Sequence, residues 1–545
     1  MRKHPYLIIP ITLFLFLAFK TVEQNDRYFQ IVKSLDVFTT LFKEVNAYYV
    51  EEINPTELMK IGIDAMLSSL DPFTDYIPED DIEDYRTMTT GEYGGIGAIV
   101  EMKGGVNTVV MPYQNAPALR SGLLIGDQIL KINNIELNGK KAYEISNLLK
   151  SQINSQITLA IKRMDRSEIF EISLVTEKIV IKNVSYAGLI NRNLGYIKLT
   201  DFTTNAGKEV GEALKKLAKQ GAKKLILDLR GNPGGLLLEA INVANIFIPK
   251  GAEIVSTKGK LEEWTKIYST KNQSTDAKIP LVVLTDQRSA SAAEIVAGVI
   301  QDYDRGVLVG RKTYGKGLVQ QTRPLAYNAQ LKVTTAKYYI PSGRCIQAID
   351  YSKESSVKIA DSLKSTFRTS NGRAVLDGGG IDPDILIDPP KLSTVCYQLI
   401  EKNLIFNYAT KYYFEHDTLH SARNFQLSQS EFQQFLVWLE SQSFDYQTPL
   451  EIKLDQALDL AKTAVRSEQV YQRITELNTL VQSEKKNDLA LYQDEIKRFL
   501  EQDIVSRYYL QEGIIEASFD SDPDILKATK ILEDIEFYNG IIKPN

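Results

Sequence analysis

Histidine is nearly absent from this sequence, which contains only His4, His416 and His420 among 545 residues. A Ser-His-Asp triad needs a histidine oriented against its nucleophile. His4 precedes an N-terminal apolar run, and the other two lie in a polar stretch far downstream. They have the four-residue spacing of a zinc-protease helix, but Asp417 stands where such a helix carries glutamate. A hydrolase built from this chain should therefore use a base other than histidine, and we expect no metal site.

Cysteine and excess positive charge are also scarce. Cys345 and Cys396 are far apart in the sequence; one disulfide is permitted in an exported chain, but little supports it. Lys and Arg number 64 against 69 Asp and Glu, a formal net charge of −5. This balance argues against a general nucleic-acid binder, which normally has a basic face. The length predicts three or four domains.

The N-terminus has the layout of an export signal. Arg2, Lys3 and His4 precede an apolar run from Tyr6 to Phe19, and a basic segment followed by an apolar one is typical of such signals. The run is shorter than the roughly 20 residues of a full membrane span, and no clear small-residue cleavage site follows. We favour an uncleaved signal-anchor over a cleaved signal, with a buried N-terminal helix as the structural alternative. Either export interpretation puts the chain from about residue 21 outside the cytoplasm.

Hydrophobic periodicity divides the rest of the chain into segments of different type. Apolar residues recur at intervals of three and four from Phe29 to Val45, which predicts helix, and glycine-rich, strand-like runs follow. Alternating strands and helices then imply a layered α/β domain. The predicted fold class is multidomain α/β, comprising a signal segment (1–20), an N-terminal helical region (21–79), a β-rich domain (80–180), an α/β core (181–390, with a polar insertion at about 346–376) and a C-terminal helical domain for packing or assembly (391–545).

One candidate for chemistry is the segment from Asp228 to Gly235, which reads DLRGNPGG. A buried strand runs into a glycine-rich turn and then into a helix. Backbone N–H groups in such a turn can point at a developing oxyanion, although a plain strand-to-helix turn is the structural alternative. No Gly-Lys-Ser/Thr sequence closes the segment, so it is not a P-loop.

A second candidate is Ser291, which follows an apolar strand and begins a predicted helix. The partial positive charge and free N–H groups of a helix N-terminus favour an alkoxide or oxyanion. The pattern Ser291-x-x-Glu294 is also a capping box, a purely structural signature. Small neighbours such as Ala290 and Ala292 would let a substrate backbone approach closely.

The third candidate is Lys316, which lies between Gly315 and Gly317 at the start of an apolar run. A lysine acts as a general base only as the neutral amine, so its ordinary pKa of about 10.4 must be lowered by burial or by nearby cations. The two glycines would let the backbone pack closely around the amine. Gln320 lies four residues on and could orient it. The alternative is an exposed loop lysine that precedes a strand.

Together these segments resemble the C-terminal processing peptidases, also called tail-specific proteases. The strings DLRGNPGG, SASAAEI and GKGLVQ stand in that family's order, with Lys316 25 residues after Ser291 and Gln320 four further on. The resemblance covers about residues 30–390. It implies that Ser291 is the nucleophile, Lys316 the general base and Gln320 its orienter. The oxyanion hole would comprise the N–H of Ala292 and one from the turn, with the choice between Gly234 and Gly235 left open.

The β-rich domain resembles a PDZ domain. The run Gly94, Gly95, Ile96, Gly97, Ala98 is similar to the PDZ loop that binds a peptide carboxylate, and residues 116–133 are similar to the segment packed beneath it. Such a domain takes an extended peptide as an added strand and holds its terminal carboxylate on loop N–H groups. The structural alternative is a small β-domain that binds no ligand.

The resemblance implies a serine endopeptidase of the bacterial cell envelope, anchored to the inner membrane on its periplasmic side. It would cleave protein substrates near their accessible C-termini and would need neither metal nor cofactor. A catalytically silent PDZ scaffold and a Ser/Lys enzyme acting on small amides are the alternatives, and a small substrate would need no peptide-presenting domain. The helical segments at both ends are candidate surfaces for homo-oligomerisation, because amphipathic helices must cover their apolar stripe.

Overall fold

The computed structural model describes residues 8–351, 357–389, 391–463 and 468–543, with side chains from residue 26 onward. The chain divides into two units, Met1–Tyr76 with Leu331–Val333, and Ile77–Gln330 with Thr334–Asn545. Residues 1–7 of the predicted signal segment lie outside this description, and its residues 8–20, like residues 21–25, are described only as backbone. No helix in the described ranges is both long and apolar enough to cross a membrane.

The first unit contains two helices, α1 (Ile8–Tyr48) and α2 (Pro55–Ser68), followed by the short strand β1 (Asp75–Ile77). The helical character predicted for this region is present as two helices, with a break between Tyr48 and Pro55. Proline at the first position of α2 cannot continue a preceding helix, and the Asn54 side chain caps α2 by accepting from the N–H groups of Thr56 and Glu57.

The second unit begins with helix α3 (Ile82–Thr90), followed by the β-rich domain whose sequence resembles a PDZ domain. Its main sheet has the order β3-β4-β5-β7-β8, so β3 is an edge strand, and β2 pairs instead with β9. The apolar side chains of this sheet form one core with the inner face of α5. The elements are β2 (Glu92–Gly95), β3 (Ala98–Lys103), β4 (Val106–Pro112), α4 (Pro117–Arg120), β5 (Gln128–Ile132), β6 (Ile135–Glu136), α5 (Ala142–Leu149), β7 (Gln156–Lys162), β8 (Phe170–Val175) and β9 (Glu177–Val180).

The α/β core follows. Its larger sheet has the order β10-β11-β12-β15-β16-β23 and is parallel from β11 onward, and a smaller sheet contains β13, β14, β17 and β18. The elements are β10 (Val184–Asn191), β11 (Leu194–Leu199), α6 (Ala206–Lys219), β12 (Lys224–Asp228), α7 (Leu237–Phe247), β13 (Glu253–Gly259), β14 (Lys266–Ser269), β15 (Leu281–Thr285), α8 (Ala292–Asp302), β16 (Val307–Gly310), β17 (Leu318–Pro324), β18 (Gln330–Tyr339), β19 (Ile349–Asp350), β20 (Val357–Lys358), β21 (Thr366–Arg368), β22 (Ala374–Leu376) and β23 (Ile385–Leu386).

A helical region completes the unit and supplies the last layer of the core. Its elements are α9 (Thr394–Glu401), α10 (Leu404–Glu415), α11 (Gln429–Ser441), α12 (Pro449–Thr463), α13 (Glu468–Lys485), α14 (Asp488–Leu491), α15 (Gln493–Ser518), α16 (Pro523–Glu533) and α17 (Ile535–Ile542). Helices α6, α7 and α8 pack on one face of the parallel sheet. Side chains of α15, α16 and α17 pack on the other face.

Burial on both faces explains why the central strands are continuously apolar, as parallel strands usually are. Along β12, for example, Leu225 and Leu227 contact the first helical layer while Ile226 contacts the second. The predicted fold class, a multidomain α/β protein with a β-rich domain, a layered core and a C-terminal helical region, is confirmed. The assembly role predicted for the terminal helices stays a prediction.

The structure shows where the cysteines and two of the three histidines lie. Cys345 and Cys396 are both free thiols. His416 follows the last residue of α10 and stacks on the Tyr412 ring, so the four-residue spacing of His416 and His420 does not fall on one helix. Among the described residues, no group of three or more His, Cys, Asp or Glu side chains could hold a metal ion.

Candidate active site

Ser291 lies in a strained turn between the end of β15 and the start of α8. Its backbone angles are φ 52° and ψ −112°, a region that side-chain-bearing residues rarely occupy, at a cost of about 1–3 kcal/mol. The serine of a nucleophile elbow sits on such a strand-to-helix turn, which exposes its hydroxyl. The Ser291 side chain is partly buried, so it has some access to solvent.

The carboxylate of Glu294 joins the Ser291 turn to the Lys316 loop. It accepts hydrogen bonds from the N–H groups of Ser291 (2.8 Å), Gly315 (2.7 Å) and Lys316 (2.9 Å), and from the Thr313 hydroxyl (2.6 Å). Glu294 is fully buried, and this burial raises its pKa to about 7. Four donors fit the ionised form, which only accepts hydrogen bonds.

The hydroxyl of Tyr338 makes the complementary contact with the carbonyl groups of the same two residues. It lies 2.5 Å from the Lys316 oxygen and 3.2 Å from the Ser291 oxygen. Burial raises the pKa of Tyr338 far above its ordinary value, so the phenol keeps its proton and remains a donor. Ser291 and Lys316 are thus held at both their N–H and their C=O groups by two buried side chains.

The glycines on either side of Lys316 allow close packing of its loop, as the sequence predicts. A Cβ atom on Gly315 would lie 2.5 Å from the Ala348 Cβ, and one on Gly317 would lie 2.8 Å from the Gln347 backbone nitrogen. The Gln347 side chain also accepts a hydrogen bond from the Gly317 N–H at 2.7 Å. A larger residue at either position would displace the loop that carries Lys316.

Gln320 lies in β17, four residues after Lys316. Its side-chain Nε2 donates to the Thr334 hydroxyl on the neighbouring strand β18 at 3.1 Å. This bond orients the amide group and leaves the carbonyl oxygen and the second N–H for other partners.

The turn between β12 and α7 packs directly against Ser291. A Cβ atom on Gly234 would lie 2.8 Å from the Ser291 Cβ and 2.9 Å from the Ala292 nitrogen, so only glycine fits here. Buried Asn232 holds the turn, because its Oδ1 accepts from the Gly234 N–H at 2.8 Å and its backbone oxygen accepts from the Ala290 N–H at 2.9 Å.

These contacts distinguish the two glycines that the sequence leaves open. The Gly234 N–H is engaged by Asn232, whereas the Gly235 N–H donates to no described residue. The Ala292 N–H is at the first position of α8, where helix geometry provides no acceptor. Gly235 and Ala292 thus each have an N–H group without an acceptor among the described residues.

The Gly94–Ala98 segment, in which a short loop joins the end of β2 to the start of β3, borders a groove of about 280 Å³ between the edge strand β3 and helix α5. Gly97 has φ 73°, and a Cβ atom there would lie 2.4 Å from the Ala116 Cβ. The Ile96 carbonyl accepts from the Ala118 N–H at 2.9 Å and the Gly94 carbonyl from the Ser151 N–H at 3.2 Å. The loop, edge strand and helix together form a surface to which one extended peptide strand could be added.

Sequence patterns alone reveal only part of this site. The capping-box pattern correctly identifies the contact between Glu294 and the Ser291 N–H, but it gives no sign that the same carboxylate reaches Lys316. Tyr338 lies in a strand with no motif around it. Asn232 is visible in the DLRGNPGG string, although its bonds across to Gly234 and Ala290 depend on the fold.

Replacing Glu294 with glutamine should destabilise the protein. Each carboxylate oxygen accepts two of the four donors, so the amide NH2 would face two of them. At least one backbone N–H would then lose its acceptor, and an unpaired buried donor costs about 1–3 kcal/mol. We expect Glu294→Gln to lower the free energy of unfolding by that amount in urea titration at pH 8. Glu209→Gln is the control, since Glu209 also accepts a backbone N–H (Val184, 3.0 Å) near a helix start. Equal stability of Glu294→Gln and the wild type would contradict this account.

Three family models match successive parts of the chain. Residues 94–174 match the PDZ domain, residues 193–357 match peptidase family S41, and residues 395–532 match the C-terminal helical domain of a probable PDZ-protease.

The chain is also similar to named proteases. It is 38% identical over 322 residues to a carboxy-terminal-processing protease of Bartonella bacilliformis, covering 58% of this chain and 73% of that protein. It is 31% identical over 462 residues to a probable CtpA-like serine protease of Staphylococcus aureus strain N315, covering 84% of each. Among solved structures, a photosystem II D1 C-terminal processing protease aligns at 27% identity and a TM-score of 0.36, covering 65% of this chain and 88% of that one. The chain belongs to the C-terminal processing peptidases of family S41 and is a serine-type protease with a PDZ domain.

Proposed function

We propose that this protease cleaves protein substrates near their C-termini, with Ser291 as the nucleophile and Lys316 as the general base. The observation that carries the proposal is the pair of buried contacts, from Glu294 and Tyr338, that join the backbones of these two residues. Such rigid positioning is what a nucleophile and its base require. Neither residue would need this connection if Ser291 only capped a helix.

In the proposed reaction, the neutral Lys316 amine takes the Ser291 proton as Oγ bonds to the scissile carbonyl carbon. The Gly235 and Ala292 N–H groups stabilise the negative charge on the carbonyl oxygen. The C–N bond then breaks, the leaving amine takes the proton from Lys316, and an acyl-enzyme remains. Water attacks this ester with Lys316 again as base, which releases the acid product and restores the serine.

Gln320 would orient the base. Its Nε2 donates to Thr334, and its carbonyl oxygen is the end that could accept from the Lys316 amine. An acceptor there would fix the direction of the amine toward Ser291 without adding a charge.

The PDZ domain would present the substrate. The groove between β3 and α5 supplies the unpaired edge of a sheet, and the Gly94–Ala98 loop lies at its end. An extended C-terminal peptide would pair with β3 and bring its carboxylate to the loop N–H groups. Lys150 lines the same groove, where its amine pairs with Asp84 at 2.6 Å.

The proposed location is the bacterial cell envelope, with the catalytic unit on the periplasmic side and the N-terminal apolar segment as a membrane anchor. The basic residues before the Tyr6–Phe19 run support this proposal, and cell fractionation checks it.

The predicted self-assembly would use exposed apolar residues on α1, such as Phe29 and Leu35.

Substituting either member of the proposed Ser/Lys pair should abolish cleavage. We expect Ser291→Ala and Lys316→Ala to lower the rate of casein cleavage at least about a thousandfold, as loss of a nucleophile or its base does, while both proteins stay folded. Lys312→Ala is the matched control, because Lys312 pairs with Asp382 at the surface and should leave the rate unchanged. Gel electrophoresis and mass spectrometry measure the products. Wild-type rates in both test variants would contradict the assignment.

Cleavage should increase with pH. Below about pH 7 Glu294 gains a proton, so it can no longer accept from all four donors and the rate should fall. Above that pH the rate should continue to rise as more of the Lys316 amine becomes neutral. Initial rates measured from pH 6 to 10 test both effects, and a flat profile would count against both.

Peptide binding should require the groove and a free carboxylate. Ser146→Trp would fill the groove from α5, and we expect at least a tenfold weaker affinity for a fluorescent peptide with an apolar last residue, or about 1.4 kcal/mol. Asn147→Trp, on the outer face of the same helix, is the control. The same peptide with an amidated C-terminus should bind the wild type as weakly as Ser146→Trp binds the acid. Equal affinity for the acid and the amide would rule out carboxylate recognition.

A further inference from the structure

The C-terminal helical region makes a charged contact with the turn that packs on Ser291. Arg230 begins this turn, and its guanidinium is bound on one side by Asp228, at 2.7 Å from Nη2. On the other side, Nη1 donates to Asp522 at 2.8 Å and to Asp524 at 2.8 Å. The residue that leads into Gly231–Gly235 is thus fixed partly by side chains almost 300 residues away in the sequence.

Asp524 also reaches the segment that leads to the lysine. Its Oδ2 accepts from Arg311 at 3.1 Å as well as from Arg230. Arg311 directly follows β16 and is two residues before Thr313, whose hydroxyl donates to Glu294. One carboxylate of the helical region therefore contacts the segments that follow β12 and β16, two of the three strands whose ends carry the candidate site.

This contact is buried and its charges are balanced. Asp228 and Asp524 are each almost fully buried, and Lys198 lies 3.1 Å from Asp228 as a further cation. Three carboxylates thus face Lys198, Arg230 and Arg311. When one partner is lost from such a buried cluster, a charge is left uncompensated, and this destabilises the folded protein.

Apolar contacts hold the helical region in place independently of these charges. Phe519 packs edge-on against Tyr186 and Tyr196, and Ile525 and Ile531 join the same cluster against the sheet. The aspartates therefore add a charged contact at Arg230 to an apolar attachment against the sheet.

We propose that Asp522 and Asp524 are positioning residues for catalysis, through which the C-terminal helical region holds Arg230 and the Gly231–Gly235 turn in place beside Ser291. This inference rests on the proposed role of that turn as part of the oxyanion hole. The helical region would then help to position the active site. This role goes beyond the packing or assembly function predicted for the region from the sequence.

The test compares the full-length wild type with Asp522→Asn, Asp524→Asn and the double variant. Asparagine suits this purpose because Asp522 caps α16, accepting from the N–H groups of Asp524 and Ile525, and asparagine caps helices equally well. The matched control is Glu516→Gln, since Glu516 in α15 bonds to the Tyr186 hydroxyl at 3.0 Å but not to the turn.

Two quantities are measured on each protein: kcat and KM for casein cleavage, and hydrogen exchange of the peptide spanning residues 229–236 by mass spectrometry. For the double variant we expect kcat to fall at least about tenfold with KM within about twofold, because the loss is in stabilisation of the transition state. Exchange in the turn should become faster while the far-UV spectrum is unchanged. Glu516→Gln should match the wild type in both measurements, and Asp522→Glu, which keeps the carboxylate, should retain most of kcat.

The outcomes separate this inference from the proposed function. If the wild type cleaves and Ser291→Ala does not, yet the double variant keeps wild-type kcat and exchange, the positioning role is wrong. Equal losses in the double variant and in Glu516→Gln would also overturn it, since general loosening of the domain would then explain them. If no protein cleaves but exchange in the turn rises in the double variant alone, the contact stands and the proposed function fails.

Discussion

The candidate site depends on one buried carboxylate. Glu294 has no solvent to stabilise its charge, so it needs the four donors that surround it, and those donors come from both the Ser291 turn and the Lys316 loop. Because an unpaired buried carboxylate is costly, the two segments must come together in one arrangement for the protein to fold well. The same requirement that stabilises the core thereby fixes the spacing of the proposed nucleophile and base.

Further side chains around Glu294 also fix the backbone of the candidate site. Tyr338 makes the matching contact with the carbonyl groups of Ser291 and Lys316, and Asn232 ties the glycine turn to Ala290. Asp522 and Asp524 hold the far side of that turn. The glycine turn, the Ser291 turn and the Lys316 loop follow β12, β15 and β16 of the parallel sheet. The carboxyl ends of these strands lie at one edge, where α/β proteins place their sites.

A capping box and a catalytic serine are not competing interpretations here. Glu294 caps the backbone of α8 through the Ser291 N–H, which satisfies an otherwise unpaired donor at the helix start. That bond helps to hold Ser291 at φ 52°, a conformation that needs external support. The structural role of Glu294 is what makes the proposed chemical role of its neighbour possible.

The sequence by itself determined the fold class and the identity of Ser291, Lys316 and the glycine turn as candidates, because strand and helix periodicity and short strings such as DLRGNPGG are local signals. It did not show that the N-terminal helical region divides before Pro55, where Asn54 caps the start of α2. Only the tertiary structure brought Tyr338 and Glu294 to Lys316 and Asp524 to Arg230, and showed that the Gly234 N–H donates to Asn232. The contacts of Lys316 and Arg230 join residues tens to hundreds of positions apart, and hydrogen-bond partners at such separations are selected by packing, which leaves no periodic trace in the chain.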